Sequence, residues 1–256
     1  MKPIAITEEA ALHIFPTPAA LGEAAAAAVA TEIRDRLAAQ ATVRIIFAAA
    51  PSQSQMLHAL ARAEGIDWHR IEAFHMDEYI GLLEEAPQRF GNWLEREFFS
   101  HISVGSFHRI EPGSNPEAAA EAYRELLLAA PIDIVCLGIG MNGHIAFNDP
   151  PANFAEPNDA RIVALDQASR IQQVKESLFA IVEDVPTHAI TLSIPSLLRA
   201  HKLFCCVSGI IKRDAVTRAF SGEISPDLPA SILRRHPSCA VFLDTEAAAG
   251  LSFGGH

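Results

Sequence analysis

Short runs of apolar residues alternate along this chain with longer segments of mixed polarity. Six of the runs predict strands: VRIIFAAA (43–50), RIEAFHM (70–76), IDIVCLGIG (132–140), HAITLSI (188–194), KLFCCVS (202–208) and CAVFL (239–243). Several are apolar at consecutive positions, which is typical of strands that are buried on both faces. The segments between them predict helices at about 17–40, 52–63, 89–101, 115–129, 143–147, 168–181, 195–200 and 210–220.

This alternation predicts an α/β fold. We expect a single-domain, three-layer α/β/α architecture with a mostly parallel, Rossmann-like sheet and helices on both faces. The 256 residues, half of them apolar, can form one large core, and no repeat or low-complexity linker divides the chain, so one domain is predicted over residues 1–256. The segment PPANFAEPND (150–159) is rich in proline, asparagine and acidic residues and predicts a loop.

Charge and hydropathy exclude several classes of function. The net charge of −11 argues against a nucleic-acid partner, because binding to a phosphate backbone needs concentrated Lys and Arg. A small anionic ligand is still allowed, since one pocket can be locally positive. No uninterrupted apolar stretch approaches the roughly 20 residues that span a bilayer, so no membrane association is expected. The start MKPIAITEEAALHIF has no signal-peptide pattern, which favours a cytoplasmic location.

The four cysteines all lie in apolar runs and have no metal-ligand spacing. We therefore expect structural thiols in a reducing compartment, and no metal site. They are Cys136, Cys205, Cys206 and Cys239.

Four of the predicted strands lead into polar loops. In a mostly parallel sheet, ligands bind beyond the carboxyl ends of the strands. The loops are APSQSQ after strand 43–50, MDEYIGL after 70–76, MNGHIAFNDP after 132–140 and SGIIKRDAV after 202–208. We expect these loops to meet at one edge of the sheet and to form the functional site.

The stretch LGIGMNGHIAFNDP (137–150) has glycines in the spacing of a dinucleotide-binding loop. That function is disfavoured, because FNDPP (147–151) breaks any helix within about one turn and the strand lies in the middle of the chain. The glycines instead indicate a tight turn and a close approach to a ligand.

His144 is a candidate acid or base near neutral pH, against the alternative of a structural histidine. Asp149 either orients that imidazole or caps a turn.

Asp77 and Glu78 directly follow a predicted strand. They are either solvated loop residues or part of a site, and the expected convergence of Asp77 with His144 and Lys212 favours a site. A carboxylate base, an imidazole and a cation that binds phosphate suit proton transfer next to the carbonyl group of a sugar phosphate.

Three motifs, FHMDEYIGL, LGIGMNGHIAFNDP and VPTHAITLSIPSLL, together resemble the glucosamine-6-phosphate deaminase family, also called glucosamine-6-phosphate isomerases. The resemblance extends from the strand near residue 43 to FLD at 242–244. The related 6-phosphogluconolactonases share the fold and a G-x-x-x-G-H element, but their acidic loop and the residues after the histidine differ from MDEY and IAFNDP. The resemblance implies an enzyme of amino-sugar metabolism, including N-acetylglucosamine catabolism. It would convert glucosamine 6-phosphate and water to fructose 6-phosphate and ammonia without a metal or organic cofactor.

The resemblance also implies a role for each matching residue. Asp77 would be the general base that moves a proton between C2 and C1 of the open-chain sugar, and His144 would shuttle a proton at the ring oxygen during ring opening. Asp149 stands where the family has a glutamate that orients the histidine. Asn142 stands where well-studied members have an aspartate of the same relay, although some relatives have asparagine. Lys212 matches a lysine that holds the phosphate.

The remaining substrate-binding candidates lie in the expected phosphate loop or beside the catalytic residues. Ser52, Gln53 and Ser54 fall in the family's phosphate loop, although AAAPSQSQ lacks its paired glycines. Glu78 and Gly143 are further candidates beside the catalytic residues.

A phosphate-binding arginine of the family is absent. Gln173 stands about where that arginine falls, and Arg170, one helical turn away, is a candidate to replace it. The loop PANFAEPND also lacks the basic and hydroxyl residues of an allosteric site, so activation by N-acetylglucosamine 6-phosphate is not expected.

Other functions remain open on the sequence. They are a galactosamine-6-phosphate deaminase, an isomerase that releases no ammonia, and a non-catalytic sugar-phosphate sensor. The presence of both Asp77 and His144 favours catalysis over sensing. The sequence also leaves the oligomeric state open, a homo-oligomer included.

Overall fold

The computed structural model describes residues 4–5 and 11–251, which form eleven strands and seven α-helices. The strands are β1 (Ile4–Ala5), β2 (Ala11–Phe15), β3 (Val43–Phe47), β4 (Ile71–His75), β5 (Asp77–Tyr79), β6 (Ser106–His108), β7 (Ile134–Leu137), β8 (Ala160–Ala164), β9 (His188–Leu192), β10 (Lys202–Val207) and β11 (Cys239–Asp244). The helices are α1 (Pro18–Ala39), α2 (Ser54–Ala61), α3 (Phe90–Glu97), α4 (Pro116–Leu128), α5 (Gln167–Lys175), α6 (Ile194–Leu198) and α7 (Arg213–Ser221).

Eight strands form the main sheet, in the order β1-β2-β11-β10-β7-β3-β4-β6. Every pairing in it is parallel except that of β1 with β2. Helices cover both faces, so the predicted α/β fold class is confirmed. Among the described residues, no helix combines the length and the apolar character that crossing a membrane requires.

Two hydrophobic cores lie on opposite faces of this sheet, and β3 shows how the sequence builds both. Val43, Ile45 and Phe47 belong to the core that contains the buried residues of α1, α2 and α3. Ile46 belongs to the other core, with the buried residues of α4, α6 and α7. Successive side chains of a strand point to opposite faces, so a strand that is apolar at every position serves both layers.

The order of the strands creates a crevice at the middle of the sheet. From β3 the chain adds β4 and β6 towards one edge, whereas β7, β10 and β11 are added in sequence towards the other. The connections between strands therefore run in opposite directions away from the boundary between the neighbouring strands β3 and β7. Ligands bind at such a point in open α/β sheets, outside the carboxyl ends of the strands.

A second, antiparallel sheet of three strands lies beside that crevice, in the order β5-β9-β8. The predicted strand 188–194 therefore exists as β9, but it does not join the main sheet. Strands β1, β2, β5, β6 and β8 were missed, although ALHIF and ARIVA are short apolar runs. The predicted helix 143–147 was wrong: this segment forms consecutive turns, and Ala146 has a φ of 48° that a helix does not allow.

The first two helices cross at very short distance. A Cβ atom built on Gly22 of α1 would lie 2.6 Å from Cβ and 2.7 Å from the backbone carbon of Gln55 in α2. Such distances are far below van der Waals contact, so only glycine fits there. The close approach matters for the site because α2 follows the loop that leaves β3.

We predict that Gly22→Ala lowers the free energy of unfolding by about 1–2 kcal/mol. Overpacking against the backbone costs about 1–3 kcal/mol, whereas the better helix propensity of alanine returns at most about 1 kcal/mol. Chemical denaturation measures the difference, with Thr31→Ala at an exposed position of the same helix as the control. A Gly22→Ala variant more stable than the parent would show that α1 and α2 do not approach this closely.

Candidate active site

A cleft of about 520 Å³ that is open to solvent lies at the carboxyl edge of the main sheet. The loops that follow β3, β4, β7 and β10 all contribute to its wall, as the sequence predicted, and α5 forms another side. Its polar lining residues are Ser52, Gln53, Asp77, His144, Gln172, Gln173, Glu176 and Lys212. The apolar lining includes Ala48, Met76, Phe90, Ile139 and Phe147.

Asp77 reaches the cleft because the chain turns out of the main sheet at this residue. The end of β4 is fixed by His75, whose backbone N–H donates to the Tyr123 hydroxyl and whose Nε2 accepts from the Ile110 amide. Asp77 then begins β5, opposite Thr191 of β9. Two sheets thus hold the backbone on either side of the carboxyl group.

The Asp77 carboxyl group is buried, with only 7% of the residue exposed. Burial raises the pKa of Asp77 well above its usual range, and the neighbouring charge of Glu78 raises it further. No described residue donates a hydrogen bond to this carboxyl group. A carboxylate that is poorly solvated in a cleft is a stronger base than one in water.

The imidazole of His144 lies directly against the backbone of Gly140. A Cβ atom at Gly140 would come within 2.3 Å of Nδ1 and Nε2 of the ring. The turn is closed by the amide of Gly143, which donates to the Gly140 carbonyl, and by the amide of Gly140, which donates to the His144 carbonyl. Gly140 is therefore needed so that the imidazole can face the cleft.

Nδ1 of His144 is held by a relay of polar groups. The Ser169 hydroxyl lies 2.8 Å from Nδ1 and 2.5 Å from Oδ1 of Asp149, and the same Oδ1 lies 3.2 Å from Nδ1. Asn142 donates through Nδ2 to Asp149 and accepts from the His144 amide. The second carboxylate oxygen of Asp149 accepts from the Asp166 amide. Of the two roles that the sequence allowed, Asp149 therefore has the first: it contacts the imidazole, and the backbone N–H that it accepts from lies 17 residues away and not in a local turn.

This relay fixes which nitrogen of His144 carries the proton. Burial acts to raise the pKa of Asp149, but hydrogen bonding and charge interaction with His144, assisted by Asn142 and Ser169, outweigh it and lower that pKa well below its usual range. An ionised Asp149 only accepts hydrogen bonds, so the Ser169 hydroxyl donates to it. Nδ1 must then donate its own proton, which leaves Nε2 of the neutral ring free to accept one.

Lys212 comes from the turn 210–212 that follows β10. The turn begins at Gly209, whose φ of 91° favours glycine and whose amide donates to Asp244 at the end of β11. The Lys212 side chain is almost fully buried, with Nζ 3.4 Å from Oε1 of Glu176. Burial lowers the pKa of Lys212, and the charge of Glu176 partly opposes that effect.

Helix α5 contributes residues that sequence reasoning missed. Ser169, Gln172 and Gln173 lie on one face of α5, at spacings of three and four. Glu176, the residue directly after α5, continues the same face. Gln172 accepts from the Met141 amide and donates to Glu176, so it links the loop after β7 to the carboxylate. The signal was this stripe of polar residues at helical spacing.

Gln53 and Gln173 both lie in the cleft wall and are largely engaged by the protein. The side-chain amide of Gln53 donates through Nε2 to the Cys206 carbonyl, and no described residue donates to its Oε1. Gln173 accepts from the Tyr79 hydroxyl at 2.8 Å and does not supply a charge where the family arginine was expected.

Two of the predicted substrate-binding residues are directed elsewhere. The guanidinium of Arg170 donates to the carbonyls of Val182 and Val185 and does not line the cleft, so it does not replace the missing arginine. Glu78 is completely buried behind Asp77, where it accepts from three backbone amides and pairs with Arg89. Burial raises the pKa of Glu78 to about 6, against the lowering effect of these partners.

Ser54 and Gly143 are also absent from the cleft wall. The Ser54 amide donates to Pro51 within the turn that precedes α2. Gly143 has a φ of 89°, and its carbonyl accepts from the Ala230 amide, so its role is to shape the turn. Of the phosphate-loop candidates, Ser52 and Gln53 are the ones that reach the cleft.

The chain is similar to known proteins over most of its length. The family described as "Glucosamine-6-phosphate isomerases/6-phosphogluconolactonase" matches residues 16–241. A glucosamine-6-phosphate deaminase of Clostridium botulinum is 34% identical over 193 residues, which are 74% of this chain and 78% of that protein. One of Bacillus cereus is 35% identical over 193 residues, which are 75% of this chain and 72% of that protein.

Solved structures give the same result for the fold. A monomeric glucosamine-6-phosphate deaminase superposes with a TM-score of 0.86 at 28% identity, over 93% of this chain and 99% of that one. A 6-phosphogluconolactonase from Shewanella baltica gives a TM-score of 0.77 at 19% identity, over 93% of this chain and 99% of that one. At that identity the second likeness concerns the fold alone.

We predict that the neutral imidazole of His144 carries its proton on Nδ1, because the acceptors Ser169 and Asp149 surround that nitrogen. Long-range nitrogen–proton correlation by NMR distinguishes the two tautomers directly. The exposed His101 serves as the internal control and should show the ordinary mixture of tautomers. A His144 signal with the proton on Nε2 would contradict the proposed direction of the relay.

Proposed function

Because the chain belongs to the family of glucosamine-6-phosphate isomerases and 6-phosphogluconolactonases, we propose that it is an amino-sugar phosphate deaminase. It converts glucosamine 6-phosphate and water to fructose 6-phosphate and ammonia. The observation that carries the proposal is the meeting of a buried carboxyl group, Asp77, and an oriented imidazole, His144, in one cleft. The similarity to curated deaminases favours this reaction over lactone hydrolysis.

His144 opens the pyranose ring. Nε2 accepts the proton of the C1 hydroxyl group and returns a proton to the ring oxygen as the C1–O bond breaks, which leaves an aldehyde at C1. While the ring is protonated, the negative charge of Asp149 stabilises it through Nδ1. Ser169 and Asn142 keep that carboxylate in place, so they act through Asp149 and not on the sugar.

Asp77 carries out the isomerisation. The aldehyde makes the proton on C2 acidic, the Asp77 carboxylate removes it, and the C1 oxygen takes up a proton from water, which gives an enolamine. Return of the proton to C1 gives a ketose iminium at C2. The raised pKa of Asp77 suits both steps, because a carboxyl group that readily holds a proton can accept it from C2 and deliver it to C1.

Hydrolysis of the iminium completes the reaction. Water adds to C2, a proton moves to nitrogen, and ammonia leaves as the ketone forms. None of these steps needs a protein nucleophile, a metal or an organic cofactor. The cleft supplies only proton transfer and orientation.

The phosphate group lies at the Lys212 end of the cleft. Lys212 supplies the positive charge, and the Ser52 hydroxyl lines the same wall. Gln53 and Gln173 add neutral polar groups to the lining of the cleft. Because Lys212 is the only Lys or Arg among the described residues that line the cleft, this end carries less positive charge than a phosphate site with two cations.

The proposed reaction is tested by measuring ammonia and ketose with a panel of amino-sugar 6-phosphates. We predict equal amounts of ammonia and fructose 6-phosphate from glucosamine 6-phosphate, and a lower kcat/KM with galactosamine 6-phosphate. A higher kcat/KM with galactosamine 6-phosphate would change the substrate. Ketose formation without ammonia would make the protein an isomerase, and activity on 6-phosphogluconolactone alone would refute the proposal.

We predict that Asp77→Asn lowers kcat at least about 100-fold, because general base catalysis contributes on the order of 10²–10⁴. The amide has a similar shape, so KM should change little. The control is Asp214→Asn, whose side chain is 82% exposed on α7. Undiminished turnover by Asp77→Asn would exclude the carboxylate as the base.

Lys212→Ala should raise KM at least about tenfold, because a hydrogen bond to a charged group contributes about 1.5–3 kcal/mol. Lys175→Ala removes the same charge from an exposed position on α5 and should leave KM unchanged. Similar KM values for both variants would show that Lys212 does not hold the phosphate.

A further inference from the structure

The cation at the phosphate end of the cleft already has an anionic partner. Nζ of Lys212 lies 3.4 Å from Oε1 of Glu176, and both side chains are at least nine-tenths buried. The same oxygen accepts from Nε2 of Gln172 at 2.8 Å, which fixes the carboxylate in position. Glu176 itself lines the cleft.

This pairing leaves the phosphate end without net positive charge. Among the described residues that line the cleft, Lys212 is the only Lys or Arg. Arg170 is engaged with backbone carbonyls elsewhere, and Gln173 is neutral. A phosphate dianion that enters here meets one cation and one carboxylate.

We propose that Glu176 is a specificity-determining residue that competes with the anionic group of the ligand for Lys212. The proposal rests on the proposed function in placing the sugar phosphate at this end. In the unliganded cleft Lys212 is bound to Glu176, and an incoming anion must displace that contact. Glu176 therefore weakens the binding of phosphorylated ligands relative to ligands without phosphate.

Sulfate is a suitable probe, because it remains a dianion throughout the neutral pH range and needs no turnover. Titration calorimetry of the full-length protein is carried out with the parent, Glu176→Gln and, as a control, Glu183→Gln at an exposed position beyond α5. Glu176→Gln should bind sulfate at least about tenfold more tightly than the parent, since a charged contact is no longer displaced. Glu183→Gln should match the parent.

Equal sulfate affinity in the parent and Glu176→Gln, including no binding to either, would overturn the proposal. Glu176→Ala, checked by thermal unfolding, replaces Glu176→Gln if that variant does not fold.

Kinetics separate this proposal from the proposed function. If the protein deaminates glucosamine 6-phosphate, Glu176→Gln should lower its KM at least about tenfold and leave the KM for glucosamine nearly unchanged. If no amino-sugar phosphate is turned over, the proposed function fails, but tighter sulfate binding by Glu176→Gln still supports the role of Glu176. Tight sulfate binding by the parent that Glu176→Gln does not improve refutes the role whatever the substrate is.

Discussion

The site depends on the point at which the chain connections part between β3 and β7. Helical connections on either side of that point diverge, so the loops leaving these strands cannot cover the carboxyl edge of the sheet. The loop after β7 brings His144 to the crevice, and the loop after β3 brings Ser52. The antiparallel sheet β5-β9-β8 closes one side and carries Asp77 at its start. The chemistry is thus assembled from segments that are distant in sequence but share one edge.

Burial affects the ionisable groups of the cleft in different ways, and this difference fits the roles proposed for them. The negative charge of Asp149 is stabilised by three side chains, so it remains ionised and orients His144. The charge of Lys212 is partly balanced by Glu176. Asp77 has no such partner among the described residues, and burial raises its pKa. A group that gains and loses a proton during a reaction suits the last environment, whereas the others serve to position and bind.

Much of this arrangement could be predicted from the sequence, because strand order does not need to be known to place residues at strand ends. Asp77, His144 and Lys212 each follow an apolar run, and the rule for parallel sheets brings them together. The contribution of α5 could not be found in this way, since it depends on how a helix docks beside the sheet. Arg170 was misassigned for the same reason: the face of α5 that meets the cleft contains Ser169 and Gln173, and Arg170 points away from it. The turns at 143–147 were mistaken for a helix because their positive φ values are not visible in the residue pattern.

The proposed function requires Asp77 to move a proton from C2 to C1 of an open-chain amino sugar. The most direct test is to run the reaction with glucosamine 6-phosphate in deuterium oxide and to locate deuterium in the product by NMR. We expect solvent deuterium at one of the two hydrogen positions on C1 of fructose 6-phosphate, because the carboxyl group of Asp77 lines a cleft that is open to solvent and exchanges its proton. Fructose 6-phosphate formed without any deuterium at C1 would indicate direct hydrogen transfer from C2 and would contradict it.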